Sequence, residues 1–264
     1  MKICVMVKQV PSTDQVKIDD QTGTMIRDGV EAEINPLDLY AVEEAVAIKE
    51  RSLEEVEITV ISMGPPAAMQ ALRSALAMGC DKACLLSDRK FGGADTWATA
   101  YTLKKGIEAV GPFDLILCGE RATDGETGQV GPGVAAQFDI PVIAYVSAIE
   151  SLEGGRIVAK RAIEGGHETV EASLPVLMTF VKEINEPRIP SLRGKLNAKK
   201  VEIPTLSAED IAAEEDKIGL KSSPTRVVKV FYPTVTRKGK VISGEDAGEA
   251  VTELLEFLRE KNFV

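Results

Sequence analysis

Apolar residues fall along this chain in short β-rich runs that alternate with stretches of helical spacing. Met1 to Val10 is one such run, bounded by Pro11, and predicts a buried strand. Val16 to Ile26 reads as two short strand pieces around Asp19-Asp20-Gln21-Thr22-Gly23, a hairpin. Asn35-Pro36 then opens a helix, a cap residue followed by proline at the first position. Leu39, Val42, Ala45, Val46 and Lys49 recur at helical spacing behind it, with Asp38, Glu43 and Glu44 early, where acids suit the helix dipole. The alternation continues: a strand at 57–62, a helix at 67–78 closed by Gly79, and a strand at 82–86. Asp95 caps a helix over 96–110, and a strand at 114–118 and a helix at 129–138 follow. Near-continuous apolar strands separated by helices predict a parallel sheet covered on both faces.

After residue 141 the pattern changes. Strand-like runs at 142–149, 156–163, 167–173 and 176–181 are separated by turns at Glu153-Gly154-Gly155 and Gly165-Gly166, and read as antiparallel. Residues 185 to 240 carry Pro187, Pro190, Pro204, Pro224 and Pro233 and many lysines, with little periodicity, as an arm or binding loop would. An amphipathic helix over about 246–261, with Ala250, Val251, Leu254, Leu255 and Leu258, ends the chain. The expected organisation is an α/β domain over 1–184, an extended arm over 185–240 suited to a partner, and a C-terminal helix over 241–264.

Composition narrows the function. The net charge of −10 disfavours coating nucleic acid or an anionic membrane by bulk charge. No apolar run approaches the ~18 residues that span a bilayer, so membrane insertion is not expected. Ile3 to Val7, between Lys2 and Lys8, is too short for a signal-peptide core, and the expected location is cytoplasmic. The four cysteines, at 4, 80, 84 and 118, form no C-x-x-C pair, and the lone His167 has no metal-like spacing around it.

In a parallel sheet of this kind, ligands bind beyond the carboxyl ends of the strands, so the loops there hold the candidate chemistry. The most informative runs from Gly119 to Pro132. Glycines at 125, 128, 131 and 133 let backbone approach a ligand, and Thr127 is placed to cap the following helix. Backbone N–H groups at a helix start make a phosphate cradle. Spacing alone fits a flexible capped turn equally well. Neither G-x-G-x-x-G after the first strand nor G-x-x-x-x-G-K-[ST] occurs, which disfavours the common dehydrogenase and P-loop readings. Glu120, Asp124 and Glu126 cluster without any sign of the split pKa values that acid–base catalysis needs. A chain with so little side-chain chemistry leaves the work to a cofactor.

Several ordered motifs carry a resemblance. They are Val7-Lys8-Gln9-Val10-Pro11, Asn35-Pro36-Leu37-Asp38 with Ala41-Val42-Glu43-Glu44-Ala45, Ala75-Leu76-Ala77-Met78-Gly79, Asp124 to Pro132, and Asn185 to Lys200. With them the chain resembles the β (small) subunits of electron transfer flavoproteins over essentially its whole length. The resemblance implies an adenine-nucleotide α-hydrolase-like fold and a heterodimer with a larger α subunit that carries FAD. The β subunit itself holds a nucleotide: AMP, which is structural, in simpler members, or a second FAD in electron-bifurcating members. In the latter, NADH is the electron donor, and the electrons divide between ferredoxin or flavodoxin and a flavin-dependent partner dehydrogenase. The short loop Asp124-Gly125-Glu126-Thr127-Gly128-Gln129-Val130-Gly131 and the segment Gly93 to Thr99 are similar to the bifurcating type.

Carried over, the nucleotide site would include backbone at Met6 and Lys8, the turn Asn35-Pro36-Leu37-Asp38, Met63, and Asp124 to Gly131, with the adenosine end near Met6, Asn35 and Met63. The diphosphate would lie near Thr127, Gly128 and Gln129, and the flavin would extend toward Asp95 and Thr96. Met63 stands where the family commonly has cysteine. Leu192 matches the apolar anchor of the family's recognition loop. An adenylating ligase or an ATP-binding stress protein of similar fold would need a phosphate loop with catalytic Ser or Lys in a pattern like S-G-G-x-D-S, which is absent.

Overall fold

A computed structural model describes residues 1–12, 32–228 and 247–264. The expected hairpin at 16–26 and the boundary near 240 lie outside the described residues. The chain divides into two compact units, Met1–Val228 and Lys229–Val264.

The first unit is built on strands β1 (Lys2–Met6), β4 (Glu57–Met63), β5 (Lys82–Leu86) and β6 (Leu115–Gly119), separated by helices α1 (Pro36–Arg51), α2 (Met69–Met78) and α3 (Thr96–Val110). Strands β2 (Gln9–Pro11) and β3 (Ala32–Ile34) form a small antiparallel pair of their own. Helix α4 (Val130–Phe138) precedes β7 (Val142–Glu153), β8 (Arg156–Ile163), β9 (Gly166–Ser173) and β10 (Val176–Phe180). After these come α5 (Leu192–Ala198) and β11 (Thr205–Leu206). The large sheet has nine strands in the order β11-β5-β4-β1-β6-β10-β7-β8-β9.

Side-chain alternation sorts the core into two layers. Ile3, Val5, Ile58, Val60, Leu115 and Leu117 point to one face, with Ala41, Val42, Ala45 and Leu72 of α1 and α2. Cys4, Met6, Ile61, Ile116 and Cys118 point to the other, with Ala100, Leu103, Val134 and Ala135 of α3 and α4. Period-two alternation with both faces covered is why these strands carry apolar residues at nearly every position. All four cysteines are buried and free. Burial pushes the Cys84 thiol up to about 11 and Cys80 to about 12, and raises Cys4 and Cys118 further.

Two sequence expectations need correction. Within the large sheet only β7–β8 and β8–β9 pair antiparallel. β10 runs parallel between β6 and β7, near the centre of the sheet. Its sequence Val-Leu-Met-Thr-Phe is buried at every position, the mark of a central strand rather than of one arm of a hairpin. The stretch after residue 185, expected to be irregular, holds α5 and β11, and β11 extends the sheet beside β5. Ala208, Ile211 and Ile218 are buried against the α3 side of the core. Pieces this short show no readable period in sequence.

The chain leaving β10 is clamped to α1. The Arg188 guanidinium donates to both carboxylate oxygens of Glu43 (2.8 Å each) and to Glu50 (2.6 and 2.9 Å). Asn185 Nδ2 donates to Tyr40 O (3.0 Å) and Glu44 Oε2 (3.2 Å). Burial works against the Glu43 charge, but the Arg188 side chain and N–H outweigh it and lower its pKa. Helix α5 then lies against α2, where Arg73 donates to Ala198 O and Val201 O. A Cβ on Gly194 would come within 2.3 Å of Ala77 O, so only glycine permits this approach.

In the second unit, helix α6 (Ala247–Glu260) matches the amphipathic pattern of the sequence. Among the described residues no helix is long and apolar enough to cross a membrane.

The Arg188 clamp makes a graded prediction. The Glu43 side chain is 10% exposed and that of Glu50 59%. Arg188→Ala should therefore cost about 1–3 kcal/mol by leaving Glu43 unpaired. Glu50→Ala should cost less than about 1 kcal/mol. Urea unfolding of the two variants tests the ranking, and equal losses would contradict it.

Candidate functional site

Strand order reverses beside β1: the chain builds β4 and β5 on one flank, then β6 and β10 on the other. A crevice opens at the carboxyl ends of β1 and β6, the usual ligand position in such sheets. The Asp38 carboxylate, in the first turn of α1, closes its floor. One oxygen accepts the Lys8 N–H (2.8 Å) and the other the Gly119 N–H (3.1 Å), so one side chain ties the ends of both strands. A Cβ on Gly119 would stand 2.6 Å from Asp38 Oδ1 and 2.7 Å from Leu37 O, which is why glycine ends β6. Burial pushes the Asp38 carboxyl up to about 7, against the lowering pull of the Lys8 N–H, the Asn35 side chain, the Gly119 N–H and the Lys8 charge.

Asn35 occupies the N-cap position of α1, yet its side chain makes no capping bond. Fully buried, it instead donates to Arg121 O (2.9 Å) and accepts from Thr123 N–H (3.1 Å). Its own N–H bonds Lys8 O (2.8 Å). Asn35 therefore pins the loop after β6 against the loop after β1. Above this pin, Lys8 Nζ pairs with Asp124 Oδ1 at 2.6 Å. Glu126 turns the chain with a φ of 52°, a left-handed conformation unusual for glutamate.

Thr127 is exposed and does not cap the next helix. Gln129 holds the N-cap position of α4 without a side-chain bond to it. Gln129 Oε1 accepts instead from Thr96 Oγ1 (2.9 Å), joining the starts of α4 and α3. At the α3 start, Asp95 Oδ1 caps Trp97 N–H (3.0 Å) and Ala98 N–H (3.1 Å), as its position in sequence predicts. Asp95 Oδ2 accepts from the N–H and hydroxyl of Thr225 (2.9 Å each), a partner the sequence did not suggest.

The fold brings most of the predicted residues to this one crevice. Met6 is buried at the end of β1, and Met63 half-buried at the end of neighbouring β4. Pro36 and Leu37 lie at the α1 start, Gly125 and Gly128 in the loop, and Val130 and Gly131 in the first turn of α4. Leu192 stands apart on α5, 75% exposed, beside Ile189 at 90%. Sequence reasoning missed a second space. A cleft of about 870 Å³ adjoins the crevice, lined by Leu37, Glu120, Arg121, Tyr145, His167 and Lys182 among others. Its walls come from strands far apart in the chain, and no local pattern marks them.

This arrangement fits a nucleotide. The α4 start offers N–H groups with no side-chain cap, in a loop where a Cβ at Gly125 would meet only open space. Residues 22–211 match the electron transfer flavoprotein domain. The chain belongs to the electron transfer flavoprotein family. It is 48% identical, over the full length of both chains, to an electron transfer flavoprotein subunit beta of Thermoanaerobacterium thermosaccharolyticum. It is 45% identical, again over both full lengths, to the caffeyl-CoA reductase-Etf complex subunit CarD of Acetobacterium woodii. To the protein FixA of Bradyrhizobium diazoefficiens it is 39% identical, covering 95% of this chain and 90% of that one. These full-length matches make it a β-subunit-type electron transfer flavoprotein chain.

Asp38 supplies a pH test with a definite sign. A carboxyl raised to about 7 in the folded chain keeps its proton where the unfolded chain, near 4, has lost it. The folded state then binds more protons between those values, and stability falls as pH rises. The stability difference between wild type and Asp38→Asn should decline by roughly 1 kcal/mol per pH unit from about 4.5 to 7, then level off. Denaturation of both at several pH values checks this, and a difference that does not change with pH would refute it.

Proposed function

We propose that this chain is the β subunit of an electron-bifurcating flavoprotein, bound to an α subunit and holding FAD in the crevice between β1 and β6. The observation that carries the reading is the short loop from Asp124 to Gly131, drawn down by Lys8 and Asn35 and ending on the uncapped start of α4. Met6, Asn35 to Asp38 and Met63 would hold the adenosine end. Thr127, Gly128 and Gln129 would hold the diphosphate. Bound FAD would supply hydride acceptance and single-electron transfer, which no side chain of this site offers. Electrons from NADH would pass to ferredoxin or flavodoxin and, through the α subunit, to a partner dehydrogenase. The relative named as part of a caffeyl-CoA reductase-Etf complex supports a dehydrogenase-type partner.

The docking surface for that partner would be the Asn185 to Lys200 segment. Leu192, Ile189 and Leu196 are exposed there, with Arg193 and Lys195 beside them, an apolar anchor in a basic rim. The Arg188 clamp and the Gly194 contact hold it in place.

Two experiments test the reading. The chain should be purified with its α subunit and denatured, and the released nucleotides counted by chromatography. Two FAD per heterodimer are expected, whereas one FAD and one AMP would make this chain a structural nucleotide holder. Leu192→Ala should slow electron transfer to the partner dehydrogenase about tenfold, the size of a small hot spot, with nucleotide content unchanged. Unaltered transfer kinetics would remove the docking role.

A further inference from the structure

Tyr145 adopts a backbone conformation that its own chemistry opposes. Its φ is 62°, a left-handed value that costs a bulky side chain on the order of 1–2 kcal/mol. The cause is a β-bulge. Met178 pairs with Ile143 and Phe180 with Val146, so Ala144 and Tyr145 together face Thr179 alone. The bulge is held from inside the sheet, where the Tyr145 N–H donates to Thr179 Oγ1 at 3.0 Å and Thr179 is 2% exposed. The same Thr179 packs its methyl against the first turn of α4, where a Cβ on Gly131 would lie 2.9 Å away.

The bulge sets the direction of the phenol. Tyr145 is 41% exposed, its side chain lines the wide cleft, and its hydroxyl would lie 3.8 Å from a Cβ placed on Gly128. It thus stands where the crevice meets the cleft, beside the α4 start. The opposite side of that start has no comparable freedom. Both Asp95 oxygens are engaged, one capping α3 and the other holding Thr225, and the Thr96 hydroxyl donates to Gln129. The cleft side offers volume of ligand-pocket size, an apolar wall of Leu37 and Val181, and an aromatic ring.

We infer that Tyr145 is a ligand-binding residue that selects a dinucleotide over a mononucleotide, by contacting the half that extends from the α4 start into the cleft. This rests on the reading of the crevice as a nucleotide site. It departs from the sequence expectation that this half turns toward Asp95 and Thr96. Strain of this kind persists where the surrounding structure fixes a side chain for use, and bulges recur beside binding sites for the same reason.

The test uses the heterodimer with its α subunit, stripped of nucleotide and titrated with FAD and separately with AMP. FAD binding that AMP displaces belongs to this chain. Tyr145→Gly suits the left-handed backbone and should fold at least as well as wild type, and Tyr145→Phe separates ring from hydroxyl. The expected result is that Tyr145→Gly weakens AMP-displaceable FAD binding about tenfold while AMP affinity stays within twofold. If FAD and AMP affinities keep their wild-type ratio in Tyr145→Gly, the inference is overturned. Failure of the wild type to bind either nucleotide would instead overturn the crevice reading itself, and this inference with it.

Discussion

A single buried carboxyl ties together the chain segments that end β1 and β6, the two strands at the point where strand order reverses. Asp38 accepts one N–H from the segment leaving β1 and another from the last residue of β6. Without it, two donors at the floor of the crevice would be buried and unpaired, each costing about 1–3 kcal/mol. The same position makes its charge expensive. The site floor is therefore a compromise in which desolvation of one acid maintains the separation that a ligand needs. Gly119 follows from it directly, because any side chain there would collide with the carboxylate it serves.

Helix α1 carries this compromise across the domain. Its first turn meets the crevice through Asn35 and Asp38, and its second to fourth turns carry Glu43, Glu44 and Glu50, which bond Arg188, Arg51 and Asn185. Acids that sequence reasoning assigns to the helix dipole are in fact half-sunk anchors for the chain that leaves β10. One rigid element thereby positions both the crevice and the segment that carries the exposed Leu192.

The parallel core, α1 to α4, the Gly79 stop and the Asp95 cap are legible in the sequence because they depend on local periodicity and on capping chemistry that acts within a few residues. In sequence β10 reads as a hairpin arm because glycine turns precede it, while its place between β6 and β7 is decided by burial on both faces. Asn35 has the composition of a cap but bonds Arg121 and Thr123, more than eighty residues away, and nothing local encodes that choice. The residues expected at the crevice stand in ordered motifs, and spacing alone does not mark them. Tyr145 escaped both routes, since a bulge is a mismatch between two strands and has no signature in either one.

The thiols add a consequence of a different kind. Cys4, Cys80, Cys84 and Cys118 all lie inside the packed layers with their ionisation suppressed, so none presents a thiolate to solvent at neutral pH. Peroxide and alkylating reagents act on the thiolate, and the native fold gives them no foothold. A cysteine introduced on the surface would thus be the sole labelling site of the folded chain, open to a spin label or fluorophore without first removing the natural four.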